Sequence, residues 1–422
     1  MTVRQPTTDD DHGGGDDDHD GDGRHEDPDG GHERAWEGIS STGDNEETMI
    51  ERTITSVRSR AREAGESRSA RPVLELDGVT RSFGAETAVD DLSLSVYEGE
   101  LLTLLGPSGC GKTTTLRLLA GLDEPDSGEI RLGESSVAGP DAFVAPDERD
   151  VGLVFQSFAL FPHLSVGENV GFGIADRSSS EVDERVTELL DLVGLADYRD
   201  HSPDDLSGGQ RQRVALARSL APEPEVLLLD EPFSNLDVSL RKEMREEVRR
   251  IIKETGVTAV SVTHDQEEAL SISDRVAVIS DGRVQQVDRP EVVFEQPESR
   301  FVAEFLGQAG FVSGHLRRGA VETEIGTVDA AVVEGLGDEY EGAEVDVLVR
   351  PDDLEATPAD RPEAHGRIVE RQYTGPSFVY SVELESGDVV YCEHNHADDL
   401  DLDQDVRVDL SVDHPLAWFP AE

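Results

Sequence analysis

The chain has 422 residues and a net charge of −55, from 92 acidic against 37 basic side chains. Polyanions repel such a surface, which excludes nonspecific nucleic-acid binding as its main business, while the length allows two or three domains and a sizeable core. Two cysteines, Cys110 and Cys392, exclude a disulfide framework, and no apolar run reaches the length of a membrane span.

The opening residues are Asp, Gly and His instead of a basic and then apolar leader, so the chain is expected in the cytoplasm. Lys112, Lys242 and Lys253 are its only lysines. At molar salt the Debye length falls to about 3 Å and self-repulsion becomes tolerable, so the composition reads as a halophile's, or as that of an ordinary acidic protein with an arginine bias. Residues 1–71 lack hydrophobic periodicity and are expected to be a disordered acidic tail. His12, His19, His25 and His32 lie among its carboxylates, where they either hold metal loosely or are simply solvated. Arg58, Arg60, Arg62, Arg68 and Arg71 then reverse the sign, as a contact to anionic lipid or as a leader against an acidic body.

Order is expected from Val73. Val73–Leu76 and Leu92–Val96 read as strands with Arg81-Ser82-Phe83-Gly84 between them, where Phe83 either stacks on a base or packs in the core. The apolar run Leu101–Leu105 leads into Gly106-Pro107-Ser108-Gly109-Cys110-Gly111-Lys112-Thr113-Thr114 and then a helical pattern. A triphosphate needs bare backbone N–H groups, a helix N-terminus and a mobile cation. Gly106, Gly109 and Gly111 let the backbone close in, Lys112 supplies the cation, and the Thr113 hydroxyl can ligate Mg²⁺.

Val226–Leu229 is the continuous apolar run of a buried parallel strand and ends in Asp230-Glu231. Carboxylates at that edge lie where open α/β folds bind ligands; Asp230 can hold Mg²⁺ through water and Glu231 can polarise the attacking water, although a surface turn also takes acids. Ser207-Gly208-Gly209-Gln210 precedes a helical run, a second N-terminal anion site about ninety residues after the first. One pocket needs only one such site, whereas two chains meeting head to tail use both.

Beyond about residue 309 the pattern alternates: Phe378, Tyr380, Val382 and Leu384 share a face, as do Val406, Val408, Leu410 and Val412, and Ser386-Gly387-Asp388 makes a turn. Several short strands in this span predict a small antiparallel barrel or sandwich. On a strand, Cys392, His394 and His396 fall on one face, either as a metal-sensing set or as the polar end of a strand.

The phosphate-loop motif, Gln156 in Phe155-Gln156-Ser157, Leu206-Ser207-Gly208-Gly209-Gln210, Leu227-Leu228-Leu229-Asp230-Glu231-Pro232, Ser234-Asn235-Leu236-Asp237 and Thr263-His264-Asp265 stand in one order that resembles the ATP-binding-cassette ATPases over residues 73–308. The resemblance implies an α/β P-loop cassette over 72–308 and a small all-β, OB-like barrel domain over 309–422, the latter supported by Arg350-Pro351-Asp352-Asp353. It implies ATP and Mg²⁺ held by Lys112, Thr113, Gln156, Asp230, Glu231 and His264, with Asp237 nearby and Phe83 on the adenine. It also implies Ser207 and Gly209 capping the nucleotide of a facing subunit, hence a homodimer. Phe158–Val166 and Glu267-Glu268-Ala269-Leu270 look like the importer branch, whose ATPases drive two membrane permease subunits fed by an extracellular solute-binding protein. Within it, Glu231–Asp237 and Arg300–Gly307 are most similar to ferric-ion importers, with molybdate or tungstate, polyamine, thiamine and sugar as alternatives. The apolar stretch Gln156–Val170, with Phe158 and Leu160, is expected to form the exposed docking surface for the permease.

Overall fold

In the computed structural model the described residues are 71–140, 142–395 and 399–421. The tail histidines, Arg58 to Arg68 and His396 lie outside them. The chain enters a hairpin of two long strands, β1 (Pro72–Phe83) and β2 (Glu86–Tyr97), turning at Gly84 with φ +67°. Arg81, Ser82 and Phe83, expected between the two strands, are part of β1 itself, because each finds a partner across the hairpin. There follow β3 (Leu101–Leu105), helix α1 (Lys112–Leu119), and strands β4 (Ser127–Leu132), β5 (Ser135–Gly139), β6 (Ala142–Phe143) and β7 (Val151–Val154). Next come three helices, α2 (Val166–Gly171), α3 (Ser179–Leu192) and α4 (Gly208–Leu220). The second half alternates β8 (Val226–Asp230), α5 (Val238–Thr255), β9 (Thr258–Thr263), α6 (Gln266–Ile272) and the hairpin β10 (Arg275–Ser280) and β11 (Arg283–Asp288), closing with α7 (Pro290–Glu295) and α8 (Arg300–Phe305).

One sheet is antiparallel, in the order β2-β1-β4-β5-β6; the other runs β11-β10-β3-β9-β8-β7 and is parallel from β10 to β7. Strands β3 and β8 are near-continuous apolar runs, and β9, though it alternates with Thr and Ser, is buried throughout, as central strands of a parallel sheet are. The strand β9 sits between β3 and β8, with Leu105 opposite Thr263 and Asp230 opposite Val262. The chain therefore leaves β3 at Gly106, β8 at Glu231 and β9 at His264 along one carboxyl edge, where ligands of such sheets bind.

The remaining strands are β12 (Gly310–Arg317), β13 (Ala320–Thr323), β14 (Gly326–Asp329), β15 (Glu344–Val349), β16 (Leu354–Pro358), β17 (Gly366–Tyr373), β18 (Ser377–Leu384), β19 (Val389–Asn395), β20 (Asp405–Leu410) and β21 (Trp418–Pro420). They make two antiparallel sheets, β14-β13-β12-β15-β21 and β16-β20-β17-β18-β19. Cys392 and His394 share a face of β19, opposite Tyr380 and Phe378. Cys392 is fully buried, and burial pushes its thiol up to about 12, so it stays protonated and packs as an apolar side chain. His394 Nε2 accepts from the Ala356 amide at 3.0 Å. Among the described residues no group of three or more metal-ligating side chains is present, and His396, the third member of the expected set, lies outside them.

Two arginines tie this domain to the last helices of the cassette. Arg350, 5% exposed, donates to the carbonyls of Ala303 and Phe294, with its guanidinium 4.3 Å from the Phe294 ring centre. Arg300 pairs with the buried Asp346, which also accepts from the Ser313 hydroxyl at 2.6 Å.

A third arginine knits the cassette. Arg149, 6% exposed, donates to the Leu118 and Leu119 carbonyls at the end of α1 and to those of Val137 and Val144 beside the antiparallel sheet. The α1 terminus is thus capped by a cation, favourable to its dipole, and four buried acceptors are satisfied by one side chain. Replacing it as Arg149→Met strands those carbonyls, and chemical denaturation should read a stability loss of about 3 kcal/mol with the cassette still folded.

Candidate functional site

The turn after β3 passes so close to its neighbours that side chains are excluded. A Cβ on Gly106 would stand 2.2 Å from the Ile279 carbonyl oxygen, and one on Gly111, at φ +101°, 2.0 Å from that of Ala88. Gly109, at φ +84°, has nothing within 4 Å of the corresponding point, so its backbone faces open space. Pro107 is half-buried, Ser108 and Thr113 are exposed, Thr114 is half-buried and Cys110 is buried. Lys112 is buried and its Nζ donates to the Gly106 and Pro107 carbonyls, each at 2.8 Å, with Cys110 Sγ at 3.7 Å. A cradle of bare amides at a helix start, with one cation and an exposed hydroxyl, fits a polyphosphate and its divalent ion.

Beside it, three strand ends converge on one carboxylate. Glu231 Oε2 accepts from Gln156 Nε2 at 2.9 Å, and its Oε1 lies 3.1 Å from His264 Nδ1. Gln156 also reaches the Ser234 hydroxyl at 3.2 Å, and Asn235 holds the Gln156 carbonyl at 2.8 Å. Glu231 has φ +42°, a left-handed backbone uncommon for a non-glycine residue, and its N–H donates to Val262. Asp230, half-buried, has its carboxyl raised by burial and then by the neighbouring Glu231, with Arg117 opposing. Two adjacent carboxylates at a sheet edge, one of them desolvated, can hold a hydrated divalent cation and polarise water.

Ser207 lies elsewhere. It is the N-cap of α4, with its hydroxyl accepting from the Gln210 amide and the Gln210 side chain returning to the Ser207 N–H. Gly208 and Gly209 lie tight against Leu236 and Met244, where a Cβ would come within 3.2 and 3.1 Å. Among the described residues no hydrogen bond joins this turn to the phosphate loop, so the chain carries two separate sets of helix-start donors. Asp237 caps α5: it accepts from the Leu240 amide and then the Ser239 hydroxyl, which hold its carboxyl below the usual range. Phe83 is 49% exposed and lies under the Arg81 guanidinium at 4.9 Å, leaving an aromatic face open to stacking.

The expected docking stretch is corrected. Phe158 is only 8% exposed and belongs with Val166 and Leu189 to the core beneath the helices, while Leu160 packs partly buried against it. Arg218 binds the carbonyls of Phe158 and Ala159. The apolar side chains that remain outside are Phe155 and Phe172, at 40% and 54% exposure.

The chain is thus a P-loop nucleotide-binding domain of doubly layered α/β form followed by a β domain. Residues 89–234 match the ABC transporter family pattern and residues 347–418 the TOBE domain. The chain is 48% identical over 332 residues to spermidine/putrescine import ATP-binding protein PotA 2 of Pseudomonas aeruginosa, covering 75% of this chain and 89% of that one. It is 45% identical over 334 residues to spermidine/putrescine import ATP-binding protein PotA of Rubrobacter xylanophilus, covering 77% and 88%. It is 47% identical over 293 residues to sulfate/thiosulfate import ATP-binding protein CysA 2 of Chromobacterium violaceum, covering 69% and 78%. The chain belongs to the ABC transporter ATP-binding proteins and hydrolyses ATP. Neither the ferric-ion expectation nor a halophilic source finds support in these relatives.

A residue that the sequence offered only as a subfamily marker has a structural role. Glu268 is 2% exposed, accepts from the Thr263 hydroxyl at 2.8 Å, and has its carboxyl pushed up by burial to about 8. Below pH 4.5 both folded and unfolded chains hold this proton; between 4.5 and about 8 only the folded chain does, so stability falls as pH rises through that window. Glu268→Gln keeps the Thr263 bond without titrating. Its stability relative to the parent should grow across that window by on the order of 4 kcal/mol, read by denaturant midpoints at successive pH values.

Proposed function

We propose that the chain is the ATP-hydrolysing subunit of a polyamine importer, acting at the cytoplasmic face of a membrane as a homodimer on two permease subunits supplied by a solute-binding protein. The observation that carries the solute is the identity to proteins named for spermidine and putrescine import over three quarters of the chain. Similar identity to a sulfate/thiosulfate import protein means that the cassette alone discriminates weakly, and polyamine replaces ferric ion as the leading reading.

In this reading residues 72–308 are the cassette and 309–422 the accessory domain. Bound ATP with Mg²⁺ supplies the phosphoanhydride that is cleaved. Residues Gly106 to Thr114 hold the phosphates through loop amides and Lys112, with Thr113, Gln156 and, through water, Asp230 as ligands to the metal. Glu231 takes the proton of the attacking water, while Gln156 and His264, already bonded to its two oxygens, fix its orientation. Phe83 stacks on the base. Ser207, Gly208, Gly209 and Gln210, with Asp237, serve the partner's nucleotide, a reading supported by the absence, among the described residues, of any hydrogen bond joining this turn to the phosphate loop.

Removal of the base as Glu231→Gln should leave ATP binding intact and lower turnover by about 10²–10⁴-fold; parent-rate hydrolysis would overturn the assignment. Deleting the gene should abolish uptake of labelled spermidine and putrescine and leave ferric-ion and sulfate uptake unchanged. Loss of ferric-ion uptake alone would restore the earlier expectation.

For the permease contact we propose the groove of about 800 Å³ lined by His163, Leu164, Phe172 and Val182, into which the exposed Phe172 projects beside Phe161 at 4.4 Å. Phe172→Glu should keep ATPase activity of the purified subunit while releasing it from membranes and abolishing uptake; retained membrane binding and uptake would remove this groove as the docking site.

A further inference from the structure

The loop carrying His264 is anchored to α5 through a charged side chain. Asp265 follows His264 and splits its carboxylate between two tasks. Its Oδ1 accepts from the Glu268 amide at 3.0 Å and caps α6. Its Oδ2 accepts from Arg245 Nη2 at 2.7 Å and from Arg241 Nη1 at 3.4 Å, both on α5. Arg245 is 4% exposed, so its pairing with Asp265 is a desolvated contact of the kind that holds geometry. The second Arg241 nitrogen donates to the Leu236 carbonyl at 3.3 Å, in the loop that ends at Asp237. One planar fork therefore spans the loop beside His264 and the loop ending in Asp237. These loops are almost thirty residues apart in sequence and flank the two proposed nucleotide contacts, one belonging to the chain's own site and the other to its partner's.

We propose that Arg241, seconded by Arg245, is a positioning residue for hydrolysis: it holds the Leu236–Asp237 loop and the His264–Asp265 loop in one fixed relation, so that His264 meets Glu231 only when the Asp237 loop is seated. A guanidinium suits this task because its donors sit in a rigid fork, so two acceptors on different loops are held at one spacing; an ammonium on a flexible stem fixes one contact but not the angle between two. Among the hydrogen bonds of the described residues, Arg241 is the α5 side chain that reaches both the Leu236 carbonyl and the Asp265 carboxylate. The inference rests on the assignment of His264 and Asp237 to the nucleotide site.

The test is a double-mutant cycle in the full chain, with Arg241→Met and Asp265→Asn. Arg241 is partly exposed, so its removal does not empty the core, and Asn keeps the cap on α6. ATP turnover, KM for ATP and thermal midpoint are measured together, with Arg241→Lys as the conservative variant and His264→Ala as the control. Each single variant should lose about 10- to 100-fold in kcat with KM within about twofold, because misplacement by about 1 Å is felt in the chemical step and not in nucleotide binding. The double variant should be no worse than the worse single one, and Lys should recover only part of the rate. Parent kcat in both singles with a lowered midpoint would reduce the clamp to a structural role and overturn the proposal, as would losses that simply multiply. If His264→Ala itself retained parent kcat, the assignment of the site would be what failed, not the clamp.

Discussion

The nucleotide end of this protein depends on how closely two stretches of backbone pass at Gly106 and Gly111. A Cβ there would stand 2.2 and 2.0 Å from carbonyl oxygens of Ile279 and Ala88, so the turn after β3 packs its bare glycines against β10 and β2. Its amides are thereby fixed before any phosphate arrives. That pinning is supported by the burial of β3 throughout and of β10 from Val276 onward. The site is thus preorganised by packing as much as by polar contact, and the expense of ordering the donors is met during folding and not during binding.

Around that fixed turn the polar groups divide by origin. Gln156, Glu231 and His264 come from three neighbouring strands, so their mutual distances follow from strand order and register. Ser207 and Asp237 come from helix starts on another part of the cassette and spend their side chains on their own caps. The first group is a finished constellation within one chain. For the second group, the proposed reading gives the helix-start N–H groups that the caps leave over to a partner's nucleotide.

Much of this was legible in residue order because glycine, lysine and acid at strand ends are required by chemistry that tolerates few substitutes. The strands Leu101–Leu105 and Val226–Leu229 announced themselves as unbroken apolar runs, and the alternation near Val406 and Phe378 disclosed the β domain. What stayed hidden were the residues whose role is set by distant packing. Arg149 looked like any surface cation, yet it satisfies four carbonyls from three segments. Phe158 reads as part of an exposed apolar docking stretch, yet the helices that cover it lie further along the chain. Glu268 gave no sign of being buried, since nothing in its immediate sequence shows that α6 turns it toward Thr263. The transported solute is in a different class again: no residue pattern in the cassette names it, and only relatives speak to it.

The seam between cassette and β domain has an asymmetry with evolutionary weight. Arg350 reaches main-chain carbonyls of Ala303 and Phe294, groups that every amino acid supplies. The cassette side of that contact can therefore drift in sequence without losing its grip, whereas the Arg300–Asp346 pair demands two matching side chains. A lineage exchanging one β domain for another would inherit the first joint with the incoming arginine and would have to reinvent the second, which makes the seam half portable and half private.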